Sequence, residues 1–338
     1  MNFLVIGLGS MGKRRVRNLQ ALNQENIAGF DISNNRCNES EEKYHIKTFS
    51  NFEKAINEFK PDIFIISTPP NLHMKYAKFA EENNIHCFIE ASVVDSKEIL
   101  DLSKRIQQKN LIIVPSCTMS YFPIATKTKE LLSQGIIGKP LNFNYQTGQY
   151  LPDWHPWEKI EDFYVSNKAT GAGREIVPFE LTWLNSIFGD AKPLACVKRK
   201  LTDINAPIDD IYHCILEYPN NLIGNLTVEV ISRPKAVRDF RLIGSEGEIV
   251  FSGDSNSLKY INISMDDWKH FSFEEGSVEI QYINPEEPYR NEIKDFICAI
   301  ENKDITLFPN SLEKDYKILN NLYDLEKLTG DNLDDLPR

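Results

Sequence analysis

Phe3-Leu4-Val5-Ile6-Gly7-Leu8-Gly9-Ser10-Met11-Gly12 is a short apolar run that breaks directly into a Gly-x-Gly-x-x-Gly turn, with a helical pattern after it. Strand, glycine turn and helix in that order form the phosphate-binding corner of a dinucleotide fold. The glycines permit the tight turn and let the backbone approach a pyrophosphate, and the helix N-terminus offers free N–H groups to the anion. Gly7, Gly9, Ser10, Met11 and Gly12 are therefore candidate cofactor contacts. Asp31 stands 19 residues past Gly12, near the offset at which a carboxylate accepts from the ribose hydroxyls. A carboxylate there repels a 2′-phosphate, so NAD is expected, while Arg36 leaves NADP open.

Working outward, the first 120 residues alternate β-rich runs with helical patterns, which predicts a parallel sheet with crossover helices. Strands are expected at 2–6, 27–31, 47–49, 62–67, 86–90 and 111–115. Ser50 with Glu53, and Asp95 with Glu98, have the spacing of a capping box. Leu72, Tyr76, Phe79 and Ala80 share one helical face and are expected in the core. After about residue 120 the rhythm changes. One helix, 124–134, is followed by long alternating runs such as Leu226, Val228 and Val230, with turns at 219–221 and 244–247. Two helical stripes end the chain, Tyr289-Ile293-Phe296-Ile300 and Leu312-Tyr316-Leu319-Tyr323. The expected fold is α/β, a Rossmann-type parallel sheet over 1–120 and a C-terminal α/β domain with a largely antiparallel open sheet over 121–338.

Composition narrows the function. With 38 Lys and Arg against 49 Asp and Glu, the net charge is −11, which disfavours nucleic acid and anionic membrane as partners. The apolar runs are too short to span a bilayer, and Phe3–Ile6 precedes the first basic residue, the reverse of a secretory signal. Six cysteines without a Cys-x-x-Cys pair read as reduced thiols in the cytoplasm. The histidines are equally dispersed, so a metal is not expected.

Open parallel sheets bind ligands beyond the carboxyl ends of their strands. Ser67-Thr68-Pro69-Pro70 and Glu90-Ala91-Ser92 are two such ends. The prolines cannot donate backbone hydrogen bonds and suit a flat apolar shelf or simply mark a strand exit. His73 is either a polar wall of that crevice or a residue of the first helical turn. Farther on, Trp154, His155 and Trp157 lie in an acidic, proline-flanked loop. Such a loop either binds a sugar, aromatic faces packing on C–H surfaces, or anchors itself by tucking tryptophan into the core. Arg174, Glu175 and Glu180 follow Gly171-Ala172-Gly173 in apolar surroundings. Buried charge is costly unless paired, so they pair with one another or face a polar ligand.

Together these segments resemble the Gfo/Idh/MocA oxidoreductases over nearly the whole chain: Gly7 to Gly12, the Thr68 to His73 strand exit, Glu90, and the Gly171 segment running into Gly189-Asp190. The resemblance implies a Rossmann domain, a C-terminal α/β domain and assembly as a homodimer or homotetramer. It also implies NAD(P)-dependent oxidation or reduction of a hydroxyl on a sugar or sugar-derived substrate. The family's lysine and histidine, which assist proton transfer, fall at Ala91 and Phe179 here, and its aspartate at Glu175. Neither Ala91 nor Phe179 can accept a proton, so the resemblance leaves Glu175 first and His155 second as catalytic groups. Arg174 is the candidate partner for a substrate carboxylate or phosphate. The alternative is a non-catalytic nucleotide or sugar binder on the same fold.

Overall fold

The computed structural model describes residues 1–330 except 157, 158, 163, 281 and 283. Contact clustering divides the chain into two units. Of the described residues, the first comprises Met1–Thr118 and Gly276–Tyr316, the second Met119–Glu275 and 317–330. The change of pattern near 120 coincides with the 118/119 boundary, but the expected cut of 1–120 and 121–338 is corrected by residues 276–316, which rejoin the first unit.

In the first unit, β1 (Phe3–Ile6), β2 (Ile27–Phe30), β3 (Lys47–Phe49), β4 (Ile63–Ile66), β5 (His86–Ile89) and β6 (Ile113–Pro115) form a parallel sheet in the order β3-β2-β1-β4-β5-β6. The crossovers are α1 (Ser10–Ala21), α2 (Asn34–Tyr44), α3 (Phe52–Phe59), α4 (His73–Glu82) and α5 (Ser96–Ile106). β1 and β4 are apolar and buried at every position, as strands covered on both faces must be. Phe30, Phe52, Phe64, Tyr76 and Phe79 meet edge-on or stacked; Tyr76 and Ala80 are buried as expected, whereas Leu72 and Phe79 are only partly so. Two expected caps differ. The third helix is capped by Asn51, whose side chain accepts from the Lys54 N–H at 2.9 Å, rather than by Ser50. Asp95 precedes the fifth with a left-handed backbone (φ 65°) and makes no side-chain cap, because a capping side chain reaches the helix N–H groups from extended backbone.

The second unit contains α6 (Pro123–Ser133), α7 (Ala172–Phe188) and a sheet of eight strands. These are β7 (Pro140–Gly148), β8 (Lys192–Arg199), β9 (Ile211–Tyr218), β10 (Leu222–Glu229), β11 (Val237–Gly244), β12 (Gly247–Ser252), β13 (Ser257–Asn262) and β14 (Lys269–Ser272). Their order is β14-β13-β12-β11-β7-β10-β9-β8; β7 and β10 run parallel, and the other pairs antiparallel. Leu226 and Val228 are buried, but the residues that alternate with them, Thr227 and Glu229, are buried as well, so this end of β10 lacks the open face that the alternation predicts.

The chain then returns to the first unit as α8 (Glu286–Asn302), which buries Tyr289, Ile293, Phe296 and Ile300. The 316/317 boundary falls within α9 (Leu312–Leu328). Among the described residues no helix is long and apolar enough to cross a membrane.

Candidate functional site

In the first unit, strand register places the candidate residues on one rim. Ile6 pairs with Phe30 and with Ile66, and Ile66 with Ile89, so the next residues, Gly7, Asp31, Ser67 and Glu90, leave the sheet at the same level. The sheet order reverses between β1 and β4, the switch point at which doubly wound sheets hold ligands.

The turn itself is shaped for close approach. Gly7 has φ +91°, and a Cβ there would stand 2.6 Å from the Ser67 carbonyl oxygen. A Cβ on Gly12 would fall 1.8 Å from the Gly7 carbonyl oxygen, so α1 can pack against the turn only through glycine. At Gly9 the nearest atom to a Cβ is Arg36 Nη1 at 3.9 Å. That position is open, and no side chain caps the helix that starts there. An uncovered helix start over a side-chain-free turn fits a pyrophosphate, with Gly9, Ser10, Met11 and Gly12 as the residues that would hold it.

Asp31 is 5% exposed. Its Oδ2 accepts from the Leu8 N–H and its Oδ1 from the Ser33 N–H, both at 2.8 Å. Arg36 Nη1 lies 3.7 Å from Oδ2, so carboxylate and guanidinium stand side by side where the second strand ends.

Two rim residues have roles that the sequence leaves open or misplaces. His73 is buried, and its ring Nε2 bonds the Thr68 carbonyl at 2.8 Å. It is a first-turn residue closing back on the strand exit, not a wall of the crevice, and burial lowers its pKa to about 4. The Thr68 hydroxyl is buried without a partner among the described residues. Glu90, expected to face the cofactor, is committed to Arg15, which donates from Nε at 2.6 Å and from Nη2 at 2.9 Å. It also accepts from Ser67 Oγ at 3.3 Å. Glu292 completes that network at 2.9 Å from Arg15 and accepts from Ser116, Cys117 and Thr118. Sequence reading missed Arg15 and Glu292; the available signal was a carboxylate at 292 beside Ile293 on the apolar stripe of α8.

In the second unit, Glu175 lies in the first turn of α7. Oε1 accepts from the Tyr164 hydroxyl at 2.9 Å, and Oε2 is buried with no partner among the described residues. Burial raises the carboxyl pKa to about 7, against the lowering effect of Tyr164. Such a group both accepts and gives up a proton near neutrality. Trp154 packs on the apolar cluster of Leu151, Val165, Ala172 and Ile208, and Tyr164 packs on the same cluster. The tryptophan therefore does tuck inward, yet its indole N–H is buried without an acceptor among the described residues. His155 is partly buried in the same loop. Trp157 lies outside the described residues.

Arg174 and Glu180 are corrected. Arg174 is 3% exposed and bonds Glu326 from Nε at 2.7 Å and from Nη2 at 3.1 Å. Glu180 is fully buried and accepts from the Tyr145 hydroxyl at 2.7 Å, the Trp183 indole at 2.9 Å and Arg238 Nη1 at 3.0 Å. The expected choice was mutual pairing or a ligand. Each instead takes its charged partner from far along the chain, Glu326 for Arg174 and Arg238 for Glu180, because a buried charge is tolerated once paired and hydrogen-bonded wherever the partner originates.

Comparison with known proteins gives consistent matches. Residues 1–117 match the model of an oxidoreductase family with an NAD-binding Rossmann fold (GFO_IDH_MocA), and residues 125–250 match the GFO/IDH/MocA C-terminal domain. D-xylose 1-dehydrogenase (NADP(+)) of Hypocrea jecorina is 24% identical over 238 residues, which are 64% of this chain and 60% of that protein. The matched region is thus less than two thirds of that relative's length. Among solved structures, an oxidoreductase from Agrobacterium radiobacter in complex with NAD+, L-tartaric acid and magnesium superposes with TM-score 0.84 at 11% identity, covering 98% of this chain and 96% of that one. Levoglucosan dehydrogenase in complex with NADH gives 0.82 at 17% identity, covering 98% and 97%. At such identities the likeness is one of fold.

Proposed function

From the premise that this chain belongs to the Gfo/Idh/MocA oxidoreductase family, with its NAD-binding Rossmann domain at residues 1–117, we propose an NAD-dependent oxidoreductase acting on a hydroxyl or carbonyl of a sugar-type substrate. The residues of the Gly7–Gly12 turn would hold the dinucleotide, which would supply the hydride acceptor or donor. Glu175 takes up or releases the proton that Ala91 and Phe179 cannot. The names of the xylose and levoglucosan dehydrogenases support the substrate class.

The observation that carries the reading is the pair of unsatisfied groups in the second unit, the Glu175 Oε2 acceptor and the Trp154 Nε1 donor. Buried polar groups are ordinarily hydrogen-bonded, and the exceptions call for a partner. The carboxylate oxygen lacks a donor and the indole an acceptor, and the hydroxyl groups of a sugar can serve as either. The carboxyl's ionisation near 7 suits both directions of the reaction. Arg174, held by Glu326, gives no support to an acidic or nucleotide-activated substrate, and a neutral sugar hydroxyl is the better match.

A panel of sugars and sugar acids, screened with NAD for the absorbance of NADH, should identify a substrate. Glu175→Gln should then abolish turnover while NAD still binds. Undiminished activity in that variant would remove Glu175 from the role. Ala91 and Phe179 favour one second reading, a ligand-binding protein without turnover. It predicts thermal stabilisation by NAD and sugar with no reduced cofactor formed by any member of the panel.

A further inference from the structure

We infer that Tyr164 is a positioning residue that divides the labour of the Glu175 carboxyl, holding Oε1 and leaving Oε2 to exchange the proton with the substrate hydroxyl. The inference rests on the reading of Glu175 as the proton-exchanging group and assigns each of its oxygens a task.

Both ends of this hydrogen bond stand on stiff supports. Tyr164 opens a short 3-10 turn, Tyr164–Ser166. Its carbonyl accepts from the Asn167 N–H at 3.1 Å and from Thr170 Oγ1 at 3.0 Å, and Val165 is fully buried. That turn lies hard against the start of α7. A Cβ at Gly171, the residue preceding the helix, would stand 2.7 Å from the Asn167 carbonyl oxygen and 3.0 Å from that of Val165. Glu175 is one turn farther, with its N–H bonded to the Gly171 carbonyl at 3.0 Å. Backbone packing, rather than side-chain reach, thus sets the separation of phenol and carboxylate. A donor fixed on one oxygen removes the two-fold choice of the carboxylate and orients the other lone pairs, as a supporting group does for a general base.

The step balances simply. In oxidation the substrate O–H bond breaks and its proton passes to Oε2; the C–H bond of the carbon bearing that oxygen breaks as well, its hydride being one that a bound nicotinamide dinucleotide would accept, and a carbonyl remains. Reduction is the reverse. Among the described residues, burial and the Tyr164 hydroxyl are the influences on this carboxyl, and the neighbouring Arg174 is turned to Glu326. Loss of the phenol removes a bond that favours the charged form, so the carboxyl must then hold its proton more tightly.

The test is Tyr164→Phe in the full chain, with Glu175→Gln as the blank. Carboxyl ionisation is read by difference infrared spectroscopy, and kcat and KM are followed against pH. The midpoint should rise from about 7 by roughly one pH unit, a tenfold change in the equilibrium. The pH limb of kcat should move with it, KM changing little. Where Tyr164→Phe folds poorly, a fluorinated tyrosine at 164 keeps the ring and strengthens the donor, and the midpoint should instead fall. An unmoved midpoint with Glu175→Gln inactive overturns the role of Tyr164 alone. Full activity of Glu175→Gln overturns the reading beneath it.

Discussion

Arg15 and Glu90 are joined by two hydrogen bonds, 2.6 and 2.9 Å long, with the guanidinium wholly out of water. The cation also meets Glu292 at 2.9 Å and lies over the Phe88 ring at 4.6 Å. Its two carboxylates hold it charged. Removing one member of a buried network leaves the others uncompensated, so Arg15→Met is expected to cost about 3–5 kcal/mol. Urea unfolding measures it. Restoring part of the loss by adding Glu292→Gln would identify the orphaned charge as the cause, and a single variant as stable as the wild type would refute the account.

Gly9 and Gly12 separate two demands of one turn. Gly12→Ala forces a methyl to 1.8 Å from a backbone oxygen and should cost at least about 1–3 kcal/mol, as overpacking does. Gly9→Ala meets only the end of Arg36 and should unfold at the wild-type temperature. Its methyl would stand where the pyrophosphate lies, so NAD affinity should drop at least tenfold by calorimetric titration. Unchanged affinity would place the phosphates elsewhere.

Cofactor preference follows from Asp31 and Arg36. The Asp31 carboxylate favours ribose hydroxyls over a 2′-phosphate, so the dissociation constant for NAD should be the lower of the two. Arg36, within 3.7 Å of it, is the group able to pair with that phosphate. Arg36→Ala should weaken NADP binding severalfold and leave NAD nearly as before. Tighter binding of NADP by the unaltered protein would reverse the assignment.

His73 makes stability depend on pH. Its folded pKa of about 4 lies below the ordinary 6.5, so the unfolded chain binds the proton first. The contribution of this group should therefore be level above about pH 6.5 and fall as pH drops from 6.5 to 4, by up to about 3 kcal/mol, while the Glu175 carboxyl, raised to about 7 by burial, works in the opposite sense across the same window. His86, also lowered by burial, adds slope in the same sense as His73. The decisive quantity is the difference between wild type and His73→Gln, whose curve should be flatter in that window; identical curves would exclude His73.

Much of the first unit was legible in the sequence, because the central strands β1 and β4 are uninterrupted apolar runs and β-rich stretches alternate with helical patterns. All six parallel strands occur within two residues of the expected bounds. The glycine turn was equally legible, since its spacing is a local steric requirement. Partners were not: Arg174 meets Glu326 across 152 residues and Arg15 meets Glu90 across 75, and no local pattern carries such pairings. Tyr164 escaped notice for a related reason. It sits in irregular chain, where no periodicity marks a side chain as inward-facing, and its significance appears only once the turn lies against the start of α7. The same absence of local signal hid the return of residues 276–316 to the first unit.

That return has a bearing on how the polypeptide matures. Arg15 is translated before residues 119–275, whereas its counter-ion Glu292 is translated after them. Until then the nascent Rossmann half carries a buried cation short of one carboxylate and a sheet without the Phe296 and Phe308 rings that abut Phe88. Residues 119–275, intervening in the chain, have all been synthesised by that time. Although segments nearer the N-terminus usually finish first during synthesis, the first unit here can be completed only after residues 119–275 of the second have been made.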